Sequence, residues 1–83
     1  MDVVLYSRPG CHLCDEARAV LLAERERTLF DLDEIDIESS DELLRDYGER
    51  IPVVVVDGEE AFEYTVDPAG LAALVRSSGP TSL

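Results

Sequence analysis

With 83 residues the chain has room for one hydrophobic core, and a chain of this size buries roughly 60% of its unfolded surface. Hydrophobic content of 46% beside 31% charged residues excludes a disordered or fibrous protein, and no apolar run approaches the roughly 20 residues of a membrane-spanning helix. The formal charge is −12 and all seven cations are arginine, a surface that repels phosphate backbones and anionic lipid and so argues against nucleic acid or membrane as partners.

The start, Met1-Asp2-Val3, lacks the basic segment and cleavage site of a signal peptide. The expectation is one cytoplasmic, monomeric domain over residues 1–83. Its acidity reads first as a solubility feature; the alternative is that it steers a basic partner protein.

In chain order, Val3-Val4-Leu5-Tyr6 is a continuous apolar run, as expected of a strand covered on both faces. Pro9-Gly10 forces a turn. Leu13, Ala17, Val20, Leu21 and Leu22 recur at helical spacing and predict a helix from about Cys11 to Arg25, with Glu16, Glu24, Arg25 and Arg27 outward. Phe30 to Ile37 reads as a second strand. Its alternation changes parity between Leu32 and Ile35, which predicts a bulge or a short strand. Ser39-Ser40-Asp41-Glu42 contains S-x-x-E, a capping box for a short helix faced by Leu43, Leu44 and Tyr47 and stopped by Gly48.

Ile51-Pro52-Val53-Val54-Val55-Val56 is another buried strand, and Pro52, which cannot donate to a ladder, belongs at its first residue or at an edge. Asp57-Gly58 is a strong hairpin signal, with Phe62, Tyr64 and Val66 alternating along the returning strand. Asp67 caps a last helix that has Pro68 at its first position and turns Leu71, Leu74 and Val75 inward. Gly79-Pro80 ends it, leaving Thr81-Ser82-Leu83 as a frayed tail. The order is β-α-β-α-β-β-α. If the third strand lies on the far side of the first, the sheet order is 2-1-3-4, and the first strand is where the chain changes direction across the sheet. Sites in open α/β sheets lie beyond the carboxyl end of such a strand.

Cys11-His12-Leu13-Cys14 stands at that place and holds both cysteines of the chain. Thiols at i and i+3 on a first helical turn share one side of it. The first sits where free backbone N–H groups and the positive end of the dipole favour a thiolate; Asp15 and Glu16 oppose this. A thiolate attacks a disulfide and a neighbouring thiol releases the mixed disulfide. Three residues apart, the pair would staple almost nothing, so it reads as redox or metal chemistry in a reducing cytosol.

Tyr6-Ser7-Arg8-Pro9-Gly10-Cys11-His12-Leu13-Cys14, with Ile51-Pro52 about forty residues on and the Asp57-Gly58 hairpin, resembles the thioredoxin superfamily, most nearly the small bacterial glutaredoxin-like proteins. The resemblance covers essentially the whole chain. It implies an α/β, thioredoxin-like (glutaredoxin-type) fold, a four-stranded mixed sheet of order 2-1-3-4 flanked by three helices. It implies Cys11 as nucleophile, Cys14 as the more buried resolving thiol, and Pro52 as a cis-proline. Ile51, which precedes it, would offer its backbone to an extended substrate.

The chain departs from the glutaredoxin pattern in two places. Arg50-Ile51-Pro52 replaces Thr-Val-Pro. In Val66-Asp67-Pro68-Ala69-Gly70-Leu71, Ala69 and Gly70 stand where paired acids would hold glutathione's amino end. Two electron donors therefore stay open: glutathione and a flavoprotein reductase of the thioredoxin type.

The expected function is dithiol–disulfide exchange on protein or small-molecule disulfides without a cofactor. Arg8, His12, Ile51, Pro52, Val66 and Asp67 are the candidate substrate contacts. His12, the only histidine, is expected to modulate the thiol, and Arg8 to meet a substrate carboxylate or backbone; Tyr64 could line the groove. The alternative is a redox-quiet binding module or a metal or iron–sulfur carrier. Cys11, His12 and Cys14 offer three ligands for one, although adjacent residues at a helix start do not converge and a closed zinc site takes four.

Overall fold

The computed structural model describes residues 1–77. Strand β1 (Asp2–Ser7) leads into helix α1 (His12–Arg25), strand β2 (Asp31–Asp36), a 3-10 turn (Ile37–Ser39) and helix α2 (Asp41–Tyr47). Strands β3 (Val53–Val56) and β4 (Glu59–Glu63) and helix α3 (Pro68–Ser77) complete it. The expected stop at Gly79-Pro80 and the frayed tail lie outside the described residues. The sheet order is β2-β1-β3-β4. β1 is parallel to β2 and antiparallel to β3, and β3 is antiparallel to β4. Order, mixed pairing and helix count match the sequence expectation.

Alternation along the two central strands builds two layers. Val3 and Leu5 of β1 and Val54 and Val56 of β3 face α1 and α3, where they meet Ala17, Leu21, Leu71 and Val75 in one buried cluster. Tyr6, directly opposite Val53, faces the other way. Its ring stacks on Tyr47 of α2 with centroids 4.5 Å apart and planes at 17°, and the Arg50 guanidinium lies 5.5 Å from the Tyr47 ring centre. α2 buries no residue fully and holds the second face through this stack.

Several local expectations are corrected. β2 pairs with β1 without a bulge, from Asp2–Asp31 through Ser7–Asp36. Its parity change has another cause: Leu32 packs on the α1/α3 core, while Ile35 sits opposite Tyr6 on the second face. The register shift of the sheet lies instead between Val54 and Val55 of β3, against β4. The capping serine is Ser40, whose Oγ accepts the N–H groups of Glu42 (3.2 Å) and Leu43 (3.4 Å); the Ser39 hydroxyl turns back to the Asp36 carbonyl at 2.6 Å.

Leu13 and Leu22, expected inward, are exposed, whereas Glu24, expected outward, is only 6% exposed. Its carboxylate is held by the Thr28 hydroxyl at 3.1 Å and by Arg76 of α3 at 3.5 Å, which is how a carboxylate is tolerated there. β4 ends at Glu63, so Tyr64 lies past the strand, with φ 69°.

The Asp57-Gly58 hairpin turns through two positive φ angles, 49° and 87°, the backbone of a type I′ turn. Asp67 Oδ2 accepts the Gly70 N–H at 3.2 Å and caps α3 as expected. Gly48 ends α2 in right-handed geometry, φ −51°. Glycine is needed there because a Cβ would lie 2.4 Å from the Leu44 carbonyl oxygen.

Two substitutions test this packing. Leu21→Ala, at a fully buried position, should cost about 2–5 kcal/mol in denaturant unfolding. Gly48→Ala should cost about 1–3 kcal/mol through the clash with Leu44, the opposite sign from an ordinary Gly→Ala change near a helix end; a stabilised variant would refute the close approach.

Candidate active site

The turn after β1 delivers Cys11 to the N-cap of α1. Gly10 has φ 77° and Cys11 is extended, φ −92°, ψ 110°. The Cys11 sulfur accepts the backbone N–H of Cys14 at 3.2 Å, the place usually filled by a serine, threonine or aspartate oxygen. A sulfur here stands at the positive end of a fourteen-residue helix, among N–H groups with no partner in the helix. Cys11 is half-buried, Cys14 fully buried, and both are free thiols.

Burial pushes the Cys14 thiol up to about 12, helped by its hydrogen bond to the Cys11 sulfur and by the charge that sulfur can carry. A backbone hydrogen bond from Arg8 and the Arg18 charge pull the other way but do not prevail. The two sulfurs thus differ in exposure, and the buried Cys14 holds its proton tightly.

The sheet register brings the second part of the site alongside. Tyr6 pairs with Val53, so Pro52, one residue earlier, comes beside the end of β1 where the cysteine turn begins. The Ile51-Pro52 peptide is cis. Pro52 is buried, and its carbonyl accepts the Tyr64 N–H at 2.8 Å. The Tyr64 hydroxyl donates to the Glu49 carbonyl at 3.1 Å, and the residue stays 48% exposed. Val66, 8% exposed, belongs to the core cluster, so it has little side chain to offer a substrate. Asp67 is committed to capping α3.

The polar residues around the motif are tied to one another. Arg8 Nε lies 3.6 Å from Glu38 Oε2, and His12 Nε2 lies 2.9 Å from Glu16 Oε2, with both side chains largely exposed. Both side chains are therefore engaged by carboxylates rather than directed at Cys11, although His12 is the residue expected to modulate the thiol. Arg18 reaches Asp15 Oδ1 at 2.8 Å and grips Glu34 through Nε, 2.7 Å from Oε1, and Nη2. The buried Ser7 hydroxyl donates to Glu34 Oε2 at 2.7 Å. Arg18 and Ser7 hold the Glu34 carboxyl below its ordinary value of 4.5 against the opposing effect of burial.

These groups surround a cavity of about 370 Å³ next to the motif, lined by Ser7, Arg8, Gly10, Asp15, Arg18 and Asp36 among others. A larger cavity, about 720 Å³, is a groove between α1 and α3 and holds neither cysteine. Among the described residues no group of three or more His, Cys, Asp and Glu is arranged to hold a metal ion.

Sequence reasoning missed two features. Leu13, inside the motif, is a 40% exposed apolar residue rather than a core one; its helical spacing pointed inward and gave no warning. The Arg18–Glu34 clamp joins α1 to β2. Asp15 at i+3 from Arg18 was visible as a helical pair, but Glu34 comes from another strand and leaves no local signal.

The model of the Glutaredoxin-like domain (DUF836) family matches residues 2–76. No curated protein matches the sequence. The solution structure of protein Ne2328 from Nitrosomonas europaea superposes with a TM-score of 0.77 at 33% identity, over 89% of this chain and 89% of that one. A structural-genomics target protein from X. campestris gives 0.76 at 30% identity, over 92% and 97% of the two chains. Reduced Escherichia coli glutaredoxin gives 0.57 at 26% identity, over 94% and 96%. A family model spanning nearly the whole chain and solved relatives at about one-third identity give one answer: this chain belongs to the glutaredoxin-like (DUF836) family, on a thioredoxin-type fold.

Proposed function

We propose that the protein is a thiol–disulfide oxidoreductase. The observation that carries this reading is the pair of unlike sulfurs: Cys11 accessible at a helix N-cap, and Cys14 buried behind it, bonded to Cys11 through its backbone N–H at 3.2 Å. In the reaction, the Cys11 thiolate attacks one sulfur of a substrate disulfide. The substrate S–S bond breaks, the first substrate sulfur leaves as thiolate, and a mixed disulfide forms on Cys11. Cys14 loses its proton to solvent and attacks the Cys11 sulfur; the second substrate thiolate departs. Two electrons have passed to the substrate and the protein holds a Cys11–Cys14 disulfide.

A thiol or dithiol donor, either glutathione or a flavoprotein reductase of the thioredoxin type, must then restore both thiols. Arg8, His12, Ile51 and Pro52, with the backbone of Val66 and Asp67, are the substrate contacts in this reading. The cytoplasm is the compartment that would keep the pair reduced. That reduced Escherichia coli glutaredoxin shares the fold at 26% identity adds weight to the reading.

Three outcomes test it. Cys14→Ser should accumulate a mixed disulfide on Cys11 when given an oxidised peptide, and Cys11→Ser should form none; equal trapping by both variants would refute the assigned roles. Because the Cys14 thiol is raised to about 12, it stays protonated at neutral pH. Iodoacetamide should then add one group, on Cys11, between pH 7 and 8, and a second only as the pH approaches 12 or the protein unfolds, as read by mass spectrometry. Turnover driven by NADPH should appear with glutathione plus glutathione reductase, with thioredoxin reductase, or with both; no turnover in either system would sink the proposal.

A further inference from the structure

The basic side chains around the dithiol are paired within the chain. Each basic side chain beside the motif is already matched by carboxylates of the same chain: Arg8 by Glu38, His12 by Glu16, and Arg18 by both Asp15 and Glu34. Arg50, two residues before Pro52, is held by both Glu60 and Glu63. The carboxylate of Asp36, on the wall of the cavity beside the motif, has no cationic partner and accepts the Glu38 N–H of its own turn at 2.8 Å. The side chains of two arginines of the described residues have no carboxylate within reach and donate no hydrogen bond. Arg27 lies past the far end of α1, about 20 Å from Cys11 by helical rise, and Arg45 belongs to α2, across the sheet from α1. An anionic substrate therefore finds no free positive charge at the thiols and several carboxylates in excess. A cationic one finds the reverse.

Resting on the reading of Cys11 and Cys14 as an exchange pair, we infer that the natural substrate is a polypeptide disulfide flanked by lysine or arginine. The exposed faces of Leu13 and Tyr64 supply apolar contact for the chain on either side of the sulfurs, which a small disulfide would not use. The same charge pattern discriminates against anionic disulfides, oxidised glutathione included, because the Arg8 guanidinium that would meet a carboxylate is occupied by Glu38. No added reductant is needed for one turnover. The reduced protein donates two electrons, one substrate S–S bond breaks, two substrate thiols are released and one Cys11–Cys14 bond forms.

The test is a single-turnover rate series. Pre-reduced protein is mixed with symmetrical disulfides of three short cysteine peptides of equal length, flanked by lysine, glutamine or glutamate. Each rate is divided by that of dithiothreitol with the same peptide, to remove leaving-group differences. At low salt the lysine peptide should exceed the glutamate peptide by about tenfold. The ratio should fall to within about threefold at 0.5 M salt, where screening shortens to a few ångströms. Glu38→Gln, which frees Arg8, should narrow the gap by raising the glutamate rate while leaving the glutamine rate within about twofold.

Equal rates for the three peptides, a faster glutamate peptide, or a gap unchanged by salt would each overturn the inference and leave the oxidoreductase reading standing. No oxidation of the protein by any of the three would overturn both.

Discussion

One hydrogen bond organises the working end of the molecule. The Cys14 N–H to Cys11 sulfur contact begins α1, and in doing so it fixes the Cys11 sulfur at the helix mouth and puts the buried Cys14 one turn behind. The cap of the helix and the exposed member of the dithiol are the same atom. Helix initiation and site geometry therefore cannot be varied independently, and a replacement that keeps the cap while removing the sulfur removes the group proposed to carry the exchange.

Everything else at that end serves to hold this sulfur in place. The buried faces of β1 and α1 interlock through Val3, Leu5, Ala17 and Leu21, so the turn between them has fixed ends. Arg18 binds the second turn of α1 to β2 through Glu34, and Ser7 adds a bond to the same carboxylate from β1. On the other side, β3 pairs with β1 so that Pro52 arrives at the level of the cysteine turn, and the Tyr64 N–H fastens it from below β4. The arrangement is one of several short tethers from different elements, each weak alone and jointly restrictive.

Much of this was legible in the sequence, for reasons that differ from element to element. The strands Val3–Tyr6 and Val53–Val56 are continuous apolar runs, and the Asp57-Gly58 turn has a demanding backbone; both signals are local and strong. The last helix could be read from Asp67-Pro68 and its inward residues for the same reason. What misled was parity in β2, where Leu32 and Ile35 serve opposite faces of a sheet covered on both sides. Glu24 looked like an outer-face acid because its partners, Thr28 and Arg76, lie beyond its own helix. Adjacent serines made the cap ambiguous by one residue, and only the hydrogen bonds choose Ser40 over Ser39. The cysteine pair was unmistakable, whereas the occupation of Arg8 and His12 by Glu38 and Glu16 depends on side-chain geometry that no pattern encodes.

Both borders of the sheet are acidic. β2 presents Asp31, Asp33, Glu34 and Asp36 along one margin, and β4 presents Glu59, Glu60 and Glu63 along the other. Open strand margins invite a second copy to add its own strand, yet here any such addition would stack carboxylates against carboxylates at spacings of about 5 Å. Acidic side chains along both rims therefore disfavour the edge-to-edge addition of a second copy.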